Sequence, residues 1–227
     1  MKEIKKFLIV PVLIVVLCLS ACSAPVSKPV DTTGAAPTDS VVADSKPDTN
    51  PTQPEVFEPQ PGYFPIPTEP ATFTYLSGAG GWQSVLEINA DGTFTGTYTD
   101  AEMGSSGEGY NATYYVCEFS GVFSEAERID AHSYRVPLTT VELYNKPGTE
   151  WIENNIRYIA TEPAGLYDQE SKKLCEEYIV YMPNTPVAQL PEEFLTWWPY
   201  RNDGKDTLSC FGLLNVATND GFFYIPE

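Results

Sequence analysis

From Trp82 to Asn89 the side chains alternate: Trp82, Ser84, Leu86 and Ile88 share one face, and Gln83, Glu87 and Asn89 the other, with Val85 the one exception. That period predicts a half-buried strand. Asn89-Ala90-Asp91-Gly92 reads as a turn, with glycine where a positive φ falls. From Thr93 to Asp100 the chain alternates again, Thr93, Thr95, Thr97 and Thr99 facing one way and Phe94, Gly96 and Tyr98 the other, so the two segments predict a β-hairpin. Tyr114 to Phe123 continues the pattern with Tyr115, Cys117, Phe119, Gly121 and Phe123 on one face, which makes Cys117 a small buried hydrophobe.

Ser133 to Leu143 predicts a fourth strand, in which Tyr134, Val136 and Leu138 share a face and Pro137 implies an edge or a bulge. Ile156 to Thr161 and Glu177 to Met182 are further strands. A closing hairpin joins Phe211 to Ala217 with Phe222 to Ile225 through the turn Asn219-Asp220-Gly221. Pro191 to Trp198 predicts a helix, with proline first, Glu192 and Glu193 at the positive end of the helix dipole, and Pro199 as its limit. Gly148 to Asn154 has helical spacing at Trp151, Ile152 and Asn155, and strand suits it nearly as well. The pattern as a whole predicts a mainly all-β fold, an antiparallel barrel or sandwich of about eight strands with one or two short helices.

The N-terminus departs from this pattern. Lys2, Lys5 and Lys6 precede an apolar run from Phe7 to Leu19, which is short of the roughly 20 residues a membrane helix needs. Residues 1–21 therefore read as a cleavable signal. Its end, Leu19-Ser20-Ala21-Cys22, resembles the lipobox of bacterial lipoproteins. The resemblance implies a diacylglyceryl group on the Cys22 thiol, cleavage before Cys22, and an extracytoplasmic chain anchored to the bacterial cell membrane by its lipidated first residue.

Composition divides the rest in two. Residues 22–70 hold eleven of the twenty prolines among Ser, Thr, Asp and Val, so this stretch reads as a disordered linker. As polyproline II it would extend toward ~150 Å, and as flexible chain it would span roughly 40 Å. Residues 71–227 form one β-rich domain, long enough to bury a core. Its eight basic residues against 23 acidic ones disfavour nucleic acid and anionic headgroups as partners. Once Cys18 leaves with the signal and Cys22 is acylated, Cys117, Cys175 and Cys210 remain. An odd number cannot pair completely; one disulfide would fit an oxidising compartment, and Cys175 with Cys210 is the preferred pair because Cys117 reads as core.

Gly80-Gly81-Trp82, Leu86-Glu87-Ile88 and Asp91-Gly92-Thr93-Phe94 are similar to the first hairpin of lipocalin-type barrels, in which a tryptophan plugs one end. The family pattern is not followed afterwards, since Ala101 stands where an aromatic residue would follow Thr99-Asp100. More broadly, Ser77 to Phe123, with Ser77-Gly78-Ala79-Gly80-Gly81-Trp82 and Asp100-Ala101-Glu102-Met103-Gly104, resembles uncharacterised lipoproteins of Gram-positive anaerobes. That resemblance brings no activity with it.

Candidate chemistry is sparse. Asp100, Glu102 and Glu108 gather in a glycine-rich loop, where hard oxygen ligands would suit calcium, yet the spacing is not that of an EF-hand. No zinc spacing is present, and His132 is the one histidine, beside Asp130 and Ser133 without a nucleophile motif. No cofactor and no catalytic residue is assigned. The candidate ligand-binding residues are Trp82, Tyr98, Asp100, Glu102, Trp197 and Trp198, carboxylates and aromatics that would meet a small molecule, a glycan or an envelope protein. The expected function is a surface lipoprotein acting as a non-catalytic binding or envelope-interaction module. Two alternatives stay open: an envelope polysaccharide hydrolase using paired carboxylates such as Asp100 and Glu102, and a purely structural or adhesive module. A deep pocket at Tyr98, Asp100 and a tryptophan would mark a binder, carboxylates facing across a cleft a hydrolase, and a filled barrel an interaction module.

Overall fold

The computed structural model describes residues 59–60, 62–67, 69–102 and 104–224. The signal peptide and Cys22 lie outside the described residues. The strands are β1 (Ala71–Leu76), β2 (Trp82–Ile88), β3 (Thr93–Glu102), β4 (Ala112–Phe123), β5 (Glu127–Arg128), β6 (Ser133–Arg135), β7 (Leu138–Leu143), β8 (Glu150–Glu153), β9 (Ile156–Ala160), β10 (Tyr178–Tyr181), β11 (Gly212–Asn215) and β12 (Gly221–Tyr224), with one short helix, α1 (Glu192–Thr196).

The strands close into a barrel because two of them bend. β1, β2, β3 and β4 pair antiparallel in chain order. β4 runs on through residues 124–126 into β5, and β6 runs on through Val136 and Pro137 into β7. These two bent strands make one long hairpin, β5 on β6 and β4 on β7, with Ser124 N–H donating to the Pro137 carbonyl at 2.8 Å between them. The far edge of β6 pairs with β10, and the ladder extends as Val136 N–H donates to Tyr178 O and Leu138 N–H to Glu176 O. β10, β11 and β12 then pair in order, and β12 returns to β1. With each bent strand taken once, eight antiparallel strands follow one another around an up-and-down barrel, the strand number that also closes lipocalin barrels. The strand expected from Ser133 to Leu143 is interrupted at Val136-Pro137, where proline has no N–H to give the ladder, and resumes as β7.

Inward alternation fills this barrel. Phe73, Leu86, Ile88, Phe119, Phe123 and Phe222 are all buried in one cluster. β3 and β4 share a phenylalanine-x-glycine pattern that antiparallel register turns into two crossed pairs, Phe94 opposite Gly121 and Gly96 opposite Phe119. Each glycine leaves the space its partner's ring occupies: a Cβ on Gly96 would stand 2.4 Å from the Phe119 ring, and one on Gly121 2.4 Å from the Phe94 ring. Outward positions such as Glu87, Thr95, Thr97 and Glu118 are exposed. Their polarity is the reverse of the apolar outer band of a membrane barrel. Among the described residues no helix is long and apolar enough to cross a membrane.

A second apolar cluster covers the outside of β10, β11 and β12. There α1 lays Phe194 on Phe223 with ring centroids 4.8 Å apart, and Leu195, Trp198, Leu208 and Cys210 pack around them. Pro191 caps α1, and the helix spans less than the predicted Pro191 to Trp198.

Three expectations change on this frame. Gly148 to Asn154, open between helix and strand, contains strand β8, turned into β9 by Asn154 and Asn155 at φ 51° and 62°. A two-residue turn with both φ positive matches the twist of a hairpin, and asparagine tolerates that region. The predicted linker ends earlier than residue 70, because Phe64 and Ile66 are buried and the Phe64 ring lies 5.2 Å from Phe123. Cys175 and Cys210 do not pair; all three described thiols are free and buried. Cys175 belongs to the inner cluster and Cys210 to the outer one, so the sheet stands between them.

Candidate functional site

Register brings Trp82, Tyr98 and Asp100 together at one rim of the barrel, Trp82 opposite Asp100 and Ser84 opposite Tyr98. The Tyr98 hydroxyl faces Asp100 Oδ2 at 3.5 Å, a long contact. The mouth they frame is closed by the 161–177 loop between β9 and β10. Leu166 is fully buried there, Ser84 Oγ donates to Ala164 O at 2.7 Å, and Tyr178 OH and Asn215 Nδ2 both donate to Gly165 O, at 3.0 and 2.9 Å. Gly165, at φ 84°, lies where a Cβ would be 2.6 Å from the Phe222 ring. Buried carbonyls of an irregular loop need such partners, and these polar side chains fasten the plug to the barrel wall.

The adjacent tryptophans of the α1 segment part company. Trp197 reaches over the rim, 4.8 Å from Tyr75 and 5.7 Å from Trp82. Trp198 packs into the outer cluster, where its buried indole N–H lacks a well-formed hydrogen bond and lies beside the Cys210 thiol, a weak acceptor. Beside them a hollow of about 480 Å³ runs along the outside of β1, lined by Thr74, Leu76, Gly78, Thr196, Pro199 and Phe223 as well as both tryptophans.

Asp100 and Glu102 do not face each other across a cleft. They sit two residues apart on one strand, and each meets a tyrosine: Asp100 meets Tyr98, and Glu102 accepts from Tyr115 OH at 3.1 Å. A glycosidase pair flanks the scissile bond from two sides, whereas these two carboxylates project from the same side of one strand. Among the described residues no group of three or more His, Cys, Asp or Glu side chains is gathered to hold a metal ion. His132 is part of a turn, its N–H donating to Asp130 Oδ1 at 2.7 Å.

Beyond the rim, β3 and β4 continue into an arm of which the candidate residues included Glu102 alone. β9 pairs parallel with Ala112 to Val116 of β4, and β8 pairs with β9 to form the edge. Tyr114, Tyr158 and Trp151 line up across these three strands on one face, Tyr158 stacked on Trp151 at 5.2 Å and 16°. On the other face Arg157 bridges Glu150, at 2.7 Å, and Tyr110, whose ring centre is 5.7 Å from the guanidinium carbon. The sequence signal was present in Trp151-Ile152 followed by Asn154-Asn155, an apolar pair ahead of a tight turn.

Burial raises the pKa of several groups near the plug. Burial, then the negative Asp100 beside it, pushes Tyr98 up to about 12, and burial pushes the Cys117 thiol to about 12, with Glu162 and Glu118 adding to it. Tyr75 is raised too, by burial and by donating to Asp220 Oδ1 at 2.6 Å. All three are neutral in the fold at pH 7. Their stabilisation is complete below the unfolded values of about 8.5 for Cys and 10 for Tyr, and is lost as pH climbs through the folded ones. The urea midpoint is expected to hold steady from neutral pH to about 8.5 and to fall steadily toward pH 11; an unchanged midpoint at pH 10.5 would remove this account of the rim.

Compared with known proteins, the chain matches no family model, no curated protein and no solved structure.

Proposed function

We propose that this chain is a lipid-anchored extracytoplasmic binding module without catalytic activity, one that meets its partner on the outside of a filled barrel. The observation that carries the proposal is the plugged mouth: Leu166 and the phenylalanine core occupy the space a lipocalin-type barrel would give to a ligand. The candidate aromatics at Trp197 and the aromatic arm at Trp151 both stand outside that space. The lipobox-like Leu19-Ser20-Ala21-Cys22 supports the anchor, and the proline-rich stretch after it supports a stalk that carries the domain clear of the membrane. One acyl chain holds a protein only marginally, and each buried CH₂ adds about 0.8 kcal/mol, so two or three chains on one cysteine make a durable anchor.

The test is metabolic labelling with radioactive palmitate, followed by fractionation. Label in the wild-type chain and its retention with membranes, both lost in Cys22→Ala, is the expected result. A Cys22→Ala chain that stays in the membrane fraction with unchanged mobility would end the anchored reading.

A further inference from the structure

We infer that the end of the barrel beneath Phe64 is a binding site for an extended Phe-Pro-Ile segment, filled here in cis by the chain's own strap and able to take the same segment from a second copy. The strap is residues 62–66, which precede β1 and belong to no strand. Phe64, Pro65 and Ile66 are buried, while Gly62 and Tyr63 before them and Pro67, Glu69 and Pro70 after them are exposed. That is the burial pattern of a bound peptide, a short apolar anchor between wet flanks.

The strap can leave without breaking a ladder. The eight-strand cycle closes without it, and among the described residues one hydrogen bond joins its backbone to the barrel, from Phe64 N–H to Ala90 O at 2.8 Å. Hollows of about 360 and 340 Å³ lie along the stretch of Pro59, Gln60 and Tyr63, one beside Arg128 and Tyr134 and the other beside Glu69 and Ala90. The contact rests on the Phe64 ring, set on Phe123 at 5.2 Å and edge-on to Phe73 at 6.4 Å, and on Ile66 in the same cluster. The plug at the other end is fastened to the wall by three side-chain donors instead. A segment with few buried contacts and few hydrogen bonds opens while the rest stays folded.

The segment also carries its own shape. Ile66 N–H donates to Phe64 O at 2.9 Å, a three-residue turn centred on Pro65, whose ring fixes φ. Little order is lost when such a segment docks, so it does not need to be continuous with the barrel to bind. A second copy is the occupant the site already fits, since its strap has the same residues and a swap replaces each cis contact by an identical one in trans. Residues 67–70, which would carry the strap across, reach up to about 13 Å when extended. The site is distinct from the aromatics on the outside of the barrel and does not depend on the lipid anchor.

The test adds a synthetic peptide of residues 59–67, the strap a second copy would bring, to the mature Phe64→Ala chain in detergent. Saturable binding by isothermal titration is expected, at least tenfold tighter than for the same peptide carrying Phe64→Ala, with recovery of at least half of the urea midpoint that the variant loses. The wild-type chain should bind the peptide at least tenfold more weakly, because its own strap competes at high effective concentration. Refolding the wild-type chain from urea at high protein concentration should add a dimer detected by chemical cross-linking, absent for Phe64→Ala. A folded Phe64→Ala chain that ignores the peptide, or treats both peptides alike, would overturn the site, and wild-type monomer alone after refolding would overturn exchange between copies. If Phe64→Ala does not fold, hydrogen exchange of the wild-type chain decides. The Phe64 and Ile66 amides should then exchange together and at least tenfold faster than those of Val136 and Leu138, which are bonded to Tyr178 O and Glu176 O; one common rate for all four would overturn the inference.

Discussion

Replacing Gly121 by valine is expected to keep the barrel from folding. The added Cβ would meet the Phe94 ring at 2.4 Å and the Thr140 carbonyl oxygen at 2.5 Å. A ring can tilt, but the carbonyl belongs to the neighbouring strand and cannot move without breaking the β4–β7 ladder. Overpacking a tight core costs about 1–3 kcal/mol where side chains can yield, and more where backbone must shift. Against a whole-domain stability of roughly 5–15 kcal/mol, valine here takes a large part of the margin. Gly121→Ala should be soluble and about 2–3 kcal/mol less stable by urea unfolding. Adding Phe94→Leu to Gly121→Ala should recover part of the loss, because the ring is one of the two obstacles. A Gly121→Val chain with wild-type stability would mean that β3 and β4 do not meet in this register.

Phe64→Ala is expected to cost about 3–4 kcal/mol, the usual loss for deleting a buried aromatic ring. The ring is 3% exposed and packs edge-on against Phe73 at 6.4 Å and on Phe123 at 5.2 Å, closing the end of the barrel opposite the plug. Its N–H donates to Ala90 O at 2.8 Å in the β2–β3 turn, so the backbone is tied there as well. Neighbouring Tyr63, 47% exposed, serves as the control, and Tyr63→Ala should change stability by no more than about 0.5 kcal/mol. Equal urea midpoints for the two variants would return residues 59–67 to the linker.

Phe64 also shows where the sequence stops being legible. It stands among Pro61, Pro65 and Pro67, and composition averages the stretch into a linker, while the packing responds to one phenylalanine and one isoleucine. The β2, β3 and β4 meander was readable because its inner face is buried and its outer face wet, which is what a two-residue period records. The closure was not readable. It depends on two bends, at residues 124–126 and at Pro137, that let one strand serve two neighbours far apart in the chain. The disulfide expectation failed for a related reason: spacing says nothing about which side of a sheet a thiol occupies.

The candidate residues divide along the same line. Trp82, Tyr98 and Asp100 could be placed on one rim from strand alternation alone. That Trp197 arrives beside Trp82, and that Leu166 fills the mouth, are long-range packing events carried by irregular backbone with no period to read. Ile156 to Thr161 was legible as a strand, but its partner β8 was ambiguous because a four-residue strand carries too little alternation to be told from a helical turn.

The central claim is that the barrel is filled and that recognition takes place outside it. Its most direct test is fluorescence titration of the mature chain with N-phenyl-1-naphthylamine, an uncharged apolar probe that the acidic surface does not repel. The account predicts no saturable enhancement, because Leu166 and the phenylalanine rings leave the probe nowhere to enter. One-to-one binding, displaced by a fatty acid and quenching the rim tryptophans, would contradict it.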